Sequence, residues 1–254
     1  MKGKISTSGG ISCRIRAGTL VIDLNEMHRI ISSAPHGGGI VHARSILNHQ
    51  VPANPATCLR SSATSWGDPA RYLGRLAARI KARMPIVGLM TAVPMTQLVI
   101  DRERSGPVWI ECFCTVGVTN AVRAGDFSAV PARLDGGHHH GTINIILVTN
   151  ATLTRTALVG AVQVVTESKT GTLIKNKVRS ITQKSSLATG TGTDAVVIAS
   201  SMEGIHKVPY SGTHTLTGAM IGRLVARCVQ EGLARSKRWS QPSSRRVHRL
   251  SASS

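Results

Sequence analysis

The stretch "GTINIILVTNATLTRTALVGAVQVVTESKT", residues 141–170, decides the fold, because it runs from a strand straight into a helix. Residues 141–150 carry a run of Ile, Leu and Val that is typical of a buried strand. Thr154 can cap a helix, and the residues after it repeat apolar side chains at helical spacing. The stretch therefore predicts a strand over residues 141–150 and a helix over residues 154–170.

The remaining segments add strands and two further helices. Short apolar runs predict strands over residues 19–24, 97–101, 108–118 and 194–200. A helix over residues 68–84 is indicated by a capping Asp68 and by Pro69, which suits the first helical position. Another helix is predicted over residues 215–233. Because strands and helices mix without a regular alternation, the pattern predicts an α/β or α+β fold, a single domain of mixed, largely antiparallel sheet packed with helices.

The charge of the chain is large and lies mainly towards its two ends. The formal net charge is +19, from 31 Lys and Arg against 12 Asp and Glu. We expect residues 1–233 to form the domain and residues 234–254 to form a basic tail with too little apolar content to fold alone. A nucleic-acid-binding protein could use this tail together with a stripe of arginines on the first predicted helix: Arg71, Arg75, Arg79 and Arg83. Against this, only 3% of the residues are aromatic and available for base stacking, so nucleic acid is expected only at the tail.

The sequence also indicates the cellular location of the protein. No run of about 18 apolar residues occurs, so neither a membrane span nor a membrane partner is expected. The N-terminus lacks the apolar segment of a secretory signal, and the five cysteines are scattered without a C-x-x-C pair. Cys112 and Cys114 share one face of a predicted strand, where we expect both to be buried. We expect a cytoplasmic protein with reduced thiols.

A turn of small residues, "GTGTD", ends at Asp194 and is the first candidate for a functional site. Gly190 and Gly192 allow backbone N–H groups to converge, so the turn can accept an anion or line a polar ligand. Thr191 and Thr193 add hydroxyls, and Asp194 can orient water or take a proton. The alternative is a tight turn that the Asp194 side chain caps.

Other titratable residues are further candidates. Glu167 and Lys169 follow a predicted apolar helix face, where the alternative is a solvated helix end. His214 stands among small residues just ahead of the last predicted helix, where an accessible imidazole can act as an acid or a base. Residues 138–140 are three adjacent histidines without a nearby carboxylate, which we expect to be exposed rather than to bind a metal. Neither a metal nor a cofactor is expected.

Four segments carry a specific resemblance in their order and spacing: "TVGVTNAVRAGD" (115–126), the stretch 141–170, "ATGTGTDAVVIAS" (188–200) and "YSGTHTLTGAMIG" (210–222). Together they resemble the adenosylcobinamide amidohydrolases (CbiZ type). The resemblance implies a corrinoid substrate and hydrolysis of the amide that joins aminopropanol to the corrin ring of adenosylcobinamide. The product would be adenosylcobyric acid, which re-enters coenzyme B12 synthesis as part of corrinoid salvage.

Amide hydrolysis requires an activated water or nucleophile, donors for the oxyanion and a proton for the departing amine. We expect Asp194 or Glu167 to activate water, and His214 or Lys169 to protonate the amine. A threonine nucleophile is a second route, for which the sequence identifies no base. The residues expected to bind substrate are Thr191, Gly192 and Thr193 at the oxyanion, and Asn120 and Asn144 at the amide side chains of the corrin.

The chain departs from the family pattern at Ala219, where the family has a glutamate after the glycine of its last motif. A corrinoid-binding protein without turnover is therefore one alternative. A basic nucleic-acid-binding protein is the other.

Overall fold

The computed structural model describes residues 3–6, 11–51, 68–126, 141–183, 185–204 and 206–240. The helices in these ranges are α1 (Pro69–Arg79), α2 (Arg155–Lys175) and α3 (Leu216–Ser240), with a short 3-10 turn at Met95–Gln97. The strands are β1 (Gly3–Ser6), β2 (Ser12–Arg16), β3 (Thr19–Ser32), β4 (Gly39–Gln50), β5 (Ile86–Thr91), β6 (Val99–Ser105), β7 (Val108–Val116), β8 (Ala121–Val122), β9 (Ile143–Thr149), β10 (Thr152–Leu153), β11 (Gly190–Thr191), β12 (Ala195–Ser201) and β13 (Lys207–Val208).

Nine strands form one mixed sheet. Its main path is β1-β2-β3-β12-β9-β7-β6, while β4 pairs with β3 and with β5. The pairs β12/β9 and β4/β5 are parallel, and the other pairs of this sheet are antiparallel. Strand β3 is long enough to pair with two strands along one edge. It pairs with β2 along Thr19–Asp23 and with β12 along His28–Ser32. A bulge in the pairing of β3 with β4, between Asp23 and His28, separates these halves.

The sheet folds over on itself into two layers. Val87 and Leu89 of β5 share one apolar cluster with Phe113 of β7 and with Ile146 and Val148 of β9, although β5 is far from β7 and β9 in the strand order. A sheet can bring such distant strands into one cluster only if its two parts lie face to face. This cluster is therefore the core between the layers.

Helices cover both outer faces. Helices α2 and α3 pack on β7 and β9, in a cluster that includes Ile145, Leu147, Leu158 and Leu224. Helix α1 packs on the other layer through residues such as Leu73. The order helix, sheet, sheet, helix confirms the predicted single domain of mixed, largely antiparallel sheet packed with helices. No helix in the described ranges is long and apolar enough to cross a membrane.

The predicted helix starts are confirmed by their caps. Asp68 accepts a hydrogen bond from the Arg71 N–H at 2.9 Å, and Thr154 accepts one from the Ala157 N–H at 3.1 Å. The predicted ends of all three helices are wrong, and α2 continues past residue 170 to Lys175. Helix α1 ends at Arg79 and not at Met84, because the chain turns through Lys81, whose φ is 54°.

Helix α3 continues past Gly232 to Ser240. Gly232 is buried where the helix meets Val116 of β7, and a Cβ there would collide with that valine. The glycine therefore permits close helix–sheet packing and does not end the helix. The first part of the predicted tail is helical as a result, and Arg235 pairs with Glu231 at 2.8 Å. Residues 241–254 lie outside the described residues.

The prediction for the strand cysteines is confirmed. Cys112 and Cys114 are both fully buried on the face of β7 that meets the helices, together with Cys228 of α3. Burial raises the pKa of the Cys114 thiol well above its ordinary value. These thiols are part of the packing and are not poised to react.

Candidate functional site

Asp194 stands immediately before β12, and its carboxylate accepts four hydrogen bonds. Oδ2 accepts from Lys169 Nζ at 2.5 Å and from the Thr191 N–H at 3.0 Å. Oδ1 accepts from the Thr191 hydroxyl at 2.5 Å and from the Ile143 N–H at 3.0 Å. A carboxylate offers about four acceptor positions, so these donors fill the whole set.

Lys169 reaches this carboxylate because of its position on α2. It lies four residues after Val165 and four before Leu173, both fully buried, so it projects from the face that packs on the sheet. Its side chain is 9% exposed and that of Asp194 is 12% exposed. Two opposite charges so far from water attract strongly, and removal of either one would leave the other costly to keep buried.

Gly190 makes the close approach of these charges possible. A Cβ at this position would lie 2.6 Å from Asp194 Oδ2 and 2.9 Å from Lys169 Nζ. Any side chain would therefore push the pair apart. The sequence predicted that Gly190 lets backbone N–H groups converge. In the structure a glycine is needed here for a different reason: the ion pair occupies the space that a side chain would fill.

Segments far apart in the sequence meet around this pair. Thr191 pairs with Ala121 across the β11/β8 ladder, and the Thr142 hydroxyl donates to the Thr193 carbonyl at 2.7 Å. The Thr170 hydroxyl donates to the Thr189 carbonyl at 2.9 Å, which ties α2 to the turn. Three of the four segments that carry the resemblance thus meet at one edge of the sheet.

Of the two predicted asparagines, Asn144 is buried beside this edge and Asn120 is half-buried. The Asn144 side chain points between the two layers, where Nδ2 donates to Asn48 Oδ1 and to the Met90 carbonyl, each at 2.9 Å. Both Asn144 N–H groups are therefore taken within the core, and the predicted hydrogen bond to a corrin amide is left with Oδ1 alone. Asn144 Oδ1 and Asn120 Oδ1 are buried and have no hydrogen-bond partner among the described residues.

Glu167 and His214 are not brought to this pair. Glu167 is exposed on α2, and because it precedes Lys169 by two residues it points to the opposite side of the helix. His214 is exposed ahead of α3, beside Ser211, whose hydroxyl donates to the Ala157 carbonyl. Ala157 lies twelve residues before Lys169 on α2, which is about 18 Å along the helix axis. Of the four titratable residues proposed as catalytic candidates, the structure therefore brings only Asp194 and Lys169 together.

Sequence reasoning missed a polar group behind the turn. Asn48 Nδ2 donates to the Thr115 hydroxyl at 3.2 Å, and Asn48 also accepts from Asn144. The next residue, His49, bonds Thr19 and Tyr72, and burial lowers its pKa to about 4. Asn48 and His49 follow the apolar Ile46 and Leu47 in the strand "SILNHQ" (45–50). Two polar residues within a buried strand were the sequence feature that could have indicated this polar group.

The structure adds little about metal binding. No group of three or more His, Cys, Asp or Glu side chains that could hold a metal ion occurs among the residues described. The three histidines at 138–140 lie outside them.

Comparison with known proteins identifies the family. The model of the family CbiZ, adenosylcobinamide amidohydrolase, matches residues 4–241. A protein of Methanosarcina mazei named adenosylcobinamide amidohydrolase is 30% identical over 206 residues, which cover 77% of this chain and 86% of the relative. An uncharacterised protein of Methanocaldococcus jannaschii is 28% identical over 229 residues, 85% of each chain.

Solved structures give only distant likenesses. A beta-aminopeptidase of Burkholderia sp. has a TM-score of 0.38 at 11% identity, covering 91% of this chain and 81% of its own. A protein of Pyrococcus horikoshii has a TM-score of 0.38 at 12% identity, covering 92% of this chain and 82% of its own. The family model and the relatives match the chain over most of its length. The chain therefore belongs to the CbiZ family of adenosylcobinamide amidohydrolases.

Proposed function

We propose that this protein hydrolyses the amide between aminopropanol and the corrin ring of adenosylcobinamide, and so yields adenosylcobyric acid for corrinoid salvage. Family membership supports the reaction class and the corrinoid substrate. The observation that carries the proposal is the buried Lys169–Asp194 pair at the edge where three family-like segments meet. A cytoplasmic location suits such a biosynthetic reaction and is part of the same proposal.

The geometry favours Thr191 as the nucleophile over a free water. All four acceptor positions of Asp194 are occupied, and one of the donors is the Thr191 hydroxyl. The carboxylate can therefore take a proton from Thr191 without moving, whereas a water would first have to displace a donor. In the proposed first step Oγ1 of Thr191 bonds to the amide carbon as its proton passes to Oδ1 of Asp194.

The departing amine needs a proton, and Lys169 is placed to supply it. Its ammonium contacts Oδ2 of Asp194 and has two further N–H groups for which no acceptor occurs among the described residues. Lys169 protonates the amine nitrogen as the C–N bond breaks, and the proton held by Asp194 then restores the ammonium. Water next attacks the ester carbon, its proton returns to Oγ1, and the corrinoid acid leaves.

The developing oxyanion requires donors on the open side of the turn. The backbone N–H groups of Gly192 and Thr193 donate to no acceptor among the residues described. A Cβ on Gly192 would have no atom within 4 Å, so there is open space in front of it. The Thr193 hydroxyl donates to the Gly141 carbonyl at 3.3 Å, which leaves its N–H and not its hydroxyl for the oxyanion.

The glutamate that the family has at position 219 takes no step in this assignment. Ala219 lies in the first turn of α3, where its N–H bonds the Thr215 carbonyl. The next turn of α3 contacts α2 beside Lys169, since the Ser168 hydroxyl donates to the Gly222 carbonyl at 2.7 Å. Binding without turnover therefore stays the alternative that the product assay separates from hydrolysis.

A nucleic-acid role for the predicted arginine stripe is not favoured. Arg71 pairs with Asp68, and Arg83, which lies past the end of α1, pairs with Asp23, so two of the four arginines already face a carboxylate. This leaves a weaker phosphate surface than the sequence predicted.

The test is incubation with adenosylcobinamide, followed by the mass of the corrinoid product and assay of released aminopropanol. The proposal expects adenosylcobyric acid and one equivalent of amine. Binding of the corrinoid with an unchanged corrinoid mass would instead favour the protein without turnover. Salt-dependent binding to nucleic acid, with no corrinoid chemistry, would favour the basic binding protein.

A further inference from the structure

A cavity of about 360 Å³ lies at the far end of β12 from the turn. Asp194 precedes the strand and Ser201 ends it, and seven residues of strand span about 23 Å. The cavity walls include the apolar side chains of Ile11, Leu24 and Trp109 and the polar side chains of Glu26, His28 and Ser201. It is therefore a separate site, with its own chemistry.

The bulge in β3 builds the polar side of this cavity. The register of β3 shifts between Asp23 and His28, and Asn25 adopts a left-handed φ of 59° inside the bulge. The bulge brings Glu26 to the next strand, where its Oε1 accepts from the Ser201 hydroxyl at 3.2 Å. His28 lies directly opposite Ser201 in the β3/β12 ladder. Bulges often direct side chains into binding sites, and this one gathers three polar side chains.

Glu26 and His28 each present an acceptor atom to the cavity, which Asn25 and Asn150 also line. His28 Nδ1 lies 3.4 Å from the Glu26 carbonyl, which can only accept, so Nδ1 carries the proton. Burial lowers the pKa of His28, and its neutral ring then presents Nε2 as an acceptor. Oε2 of Glu26 receives no hydrogen bond within the described part of the chain. The Ser201 hydroxyl is already used, because it donates to Glu26 and accepts from the Glu203 N–H.

The positive charge near the cavity, that of Arg102, is already paired with a carboxylate. Arg102 stacks over the Trp109 ring at 4.7 Å and pairs with Glu111 at 2.8 Å. The cavity therefore offers the exposed carboxylate of Glu26 and the buried imidazole acceptor of His28 beside apolar walls, and these groups favour a ligand that donates hydrogen bonds and carries positive charge. Although the net charge of the protein is strongly positive, salt screens distant charges beyond about 8 Å, so the local carboxylate dominates.

We propose that this cavity binds a small organic ammonium ion, with its ammonium group at Glu26 and His28 and its carbon body against Ile11, Leu24 and Trp109. The site is independent of the proposed hydrolysis and does not require it. The amino alcohol 1-amino-2-propanol belongs to this ligand class and is a convenient probe.

The test uses Trp109 as a reporter. The chain has three tryptophans, so Trp66→Phe/Trp239→Phe leaves Trp109 as the only emitter. Titration with 1-amino-2-propanol is expected to change its fluorescence saturably, whereas 1,2-propanediol, which lacks the charge, leaves it unchanged. Glu26→Gln on this background should weaken the affinity about twofold to fivefold, because the ion pair with an exposed carboxylate is lost.

Two matched variants locate the effect. Glu203→Gln removes an exposed neighbouring carboxylate that does not line the cavity, and it should bind the amine as tightly as the parent. Thr191→Ala, which removes the proposed nucleophile without leaving a buried charge unpaired, should also bind it as tightly, and this separates the site from the proposed catalytic one. Equal responses to amine and diol, an unchanged affinity in Glu26→Gln, or a loss of affinity in a folded Thr191→Ala would each overturn the proposal. So would the absence of any saturable response.

Discussion

The two ends of β12 differ in how far their polar groups are satisfied. At the Asp194 end every acceptor position of the carboxylate is filled, and a buried lysine completes the set. At the Ser201 end a bulge leaves a carboxylate oxygen and an imidazole nitrogen without donors in the described residues, beside an open cavity. The first arrangement holds reactive groups in place for chemistry, and the second has room and unmet acceptors for a guest.

This difference teaches that titratable residues in adjacent sequence motifs need not share a site. His214 and Asp194 both occur in segments that resemble the family, but one lies near the start of α2 and the other faces its second half. The predictions below test whether the chemistry belongs to the Asp194 end. They run from the largest expected effect to the smallest.

Replacement of Thr191 should have the largest effect. Thr191→Ala removes the proposed nucleophile and is expected to lower kcat by about ten-thousandfold or more, since no other hydroxyl in the described residues donates to the Asp194 carboxylate. Thr191→Ser keeps a hydroxyl beside Asp194 and should retain much of the activity. Rapid quenching of the serine variant with intact-protein mass spectrometry should show a corrinoid acyl ester. Full turnover by the alanine variant would remove Thr191 from the mechanism.

Asp194→Asn should lower turnover by about a hundredfold to ten-thousandfold, because the proton acceptor is lost. It also leaves Lys169 buried without a counter-charge, at a cost of about 3 to 5 kcal/mol in the free energy of unfolding. The double variant Lys169→Met/Asp194→Asn should recover part of that stability in urea unfolding and stay inactive. A stable, fully active single variant contradicts both parts.

Gly190→Ala should act through the ion pair. The added methyl group would meet Asp194 and Lys169 at less than 3 Å, so the pair must separate. We expect a loss of about 1 to 3 kcal/mol in stability and about a tenfold to hundredfold loss in kcat. The control is Gly171→Ala on the exposed side of α2, where a Cβ has open space. Equal behaviour of the two variants would show that the pair tolerates displacement.

Glu167→Gln should have the smallest effect. The side chain is exposed and points away from Lys169, and surface substitutions of this kind change stability by about 0.5 kcal/mol or less. Turnover is expected to stay within about twofold of the parent. A loss as large as that of Asp194→Asn would return Glu167 to the site.

The fold was predictable where local signals are strong. Thr154 and Asp68 cap the helices as their side-chain oxygens require, and the apolar runs around residues 108–118 and 141–150 are buried strands. Tertiary packing decided the rest. Strand β3 continues past Leu24 through a polar bulge, and Gly232 lies inside a helix because that helix presses on β7.

The site was predictable in part for a similar reason. The turn at Asp194 and the charge at Lys169 both stand out in the sequence, but their contact depends on how α2 lies across the sheet. Helical spacing alone separates Lys169 from Glu167, since residues two apart face opposite sides. The position of His214 depends on the chain path over the first turns of α2, which no local pattern encodes.

The most direct test of the central claim is a paired measurement of adenosylcobinamide hydrolysis by Lys169→Met and His214→Ala, with the corrinoid product identified by mass. Lys169→Met removes the proposed proton donor at the Asp194 end, and His214→Ala removes the imidazole at the other end. The account predicts that Lys169→Met forms almost no adenosylcobyric acid while His214→Ala forms it at close to the parent rate. An active Lys169→Met beside an inactive His214→Ala would contradict it, and would move the chemistry to the far end of the sheet.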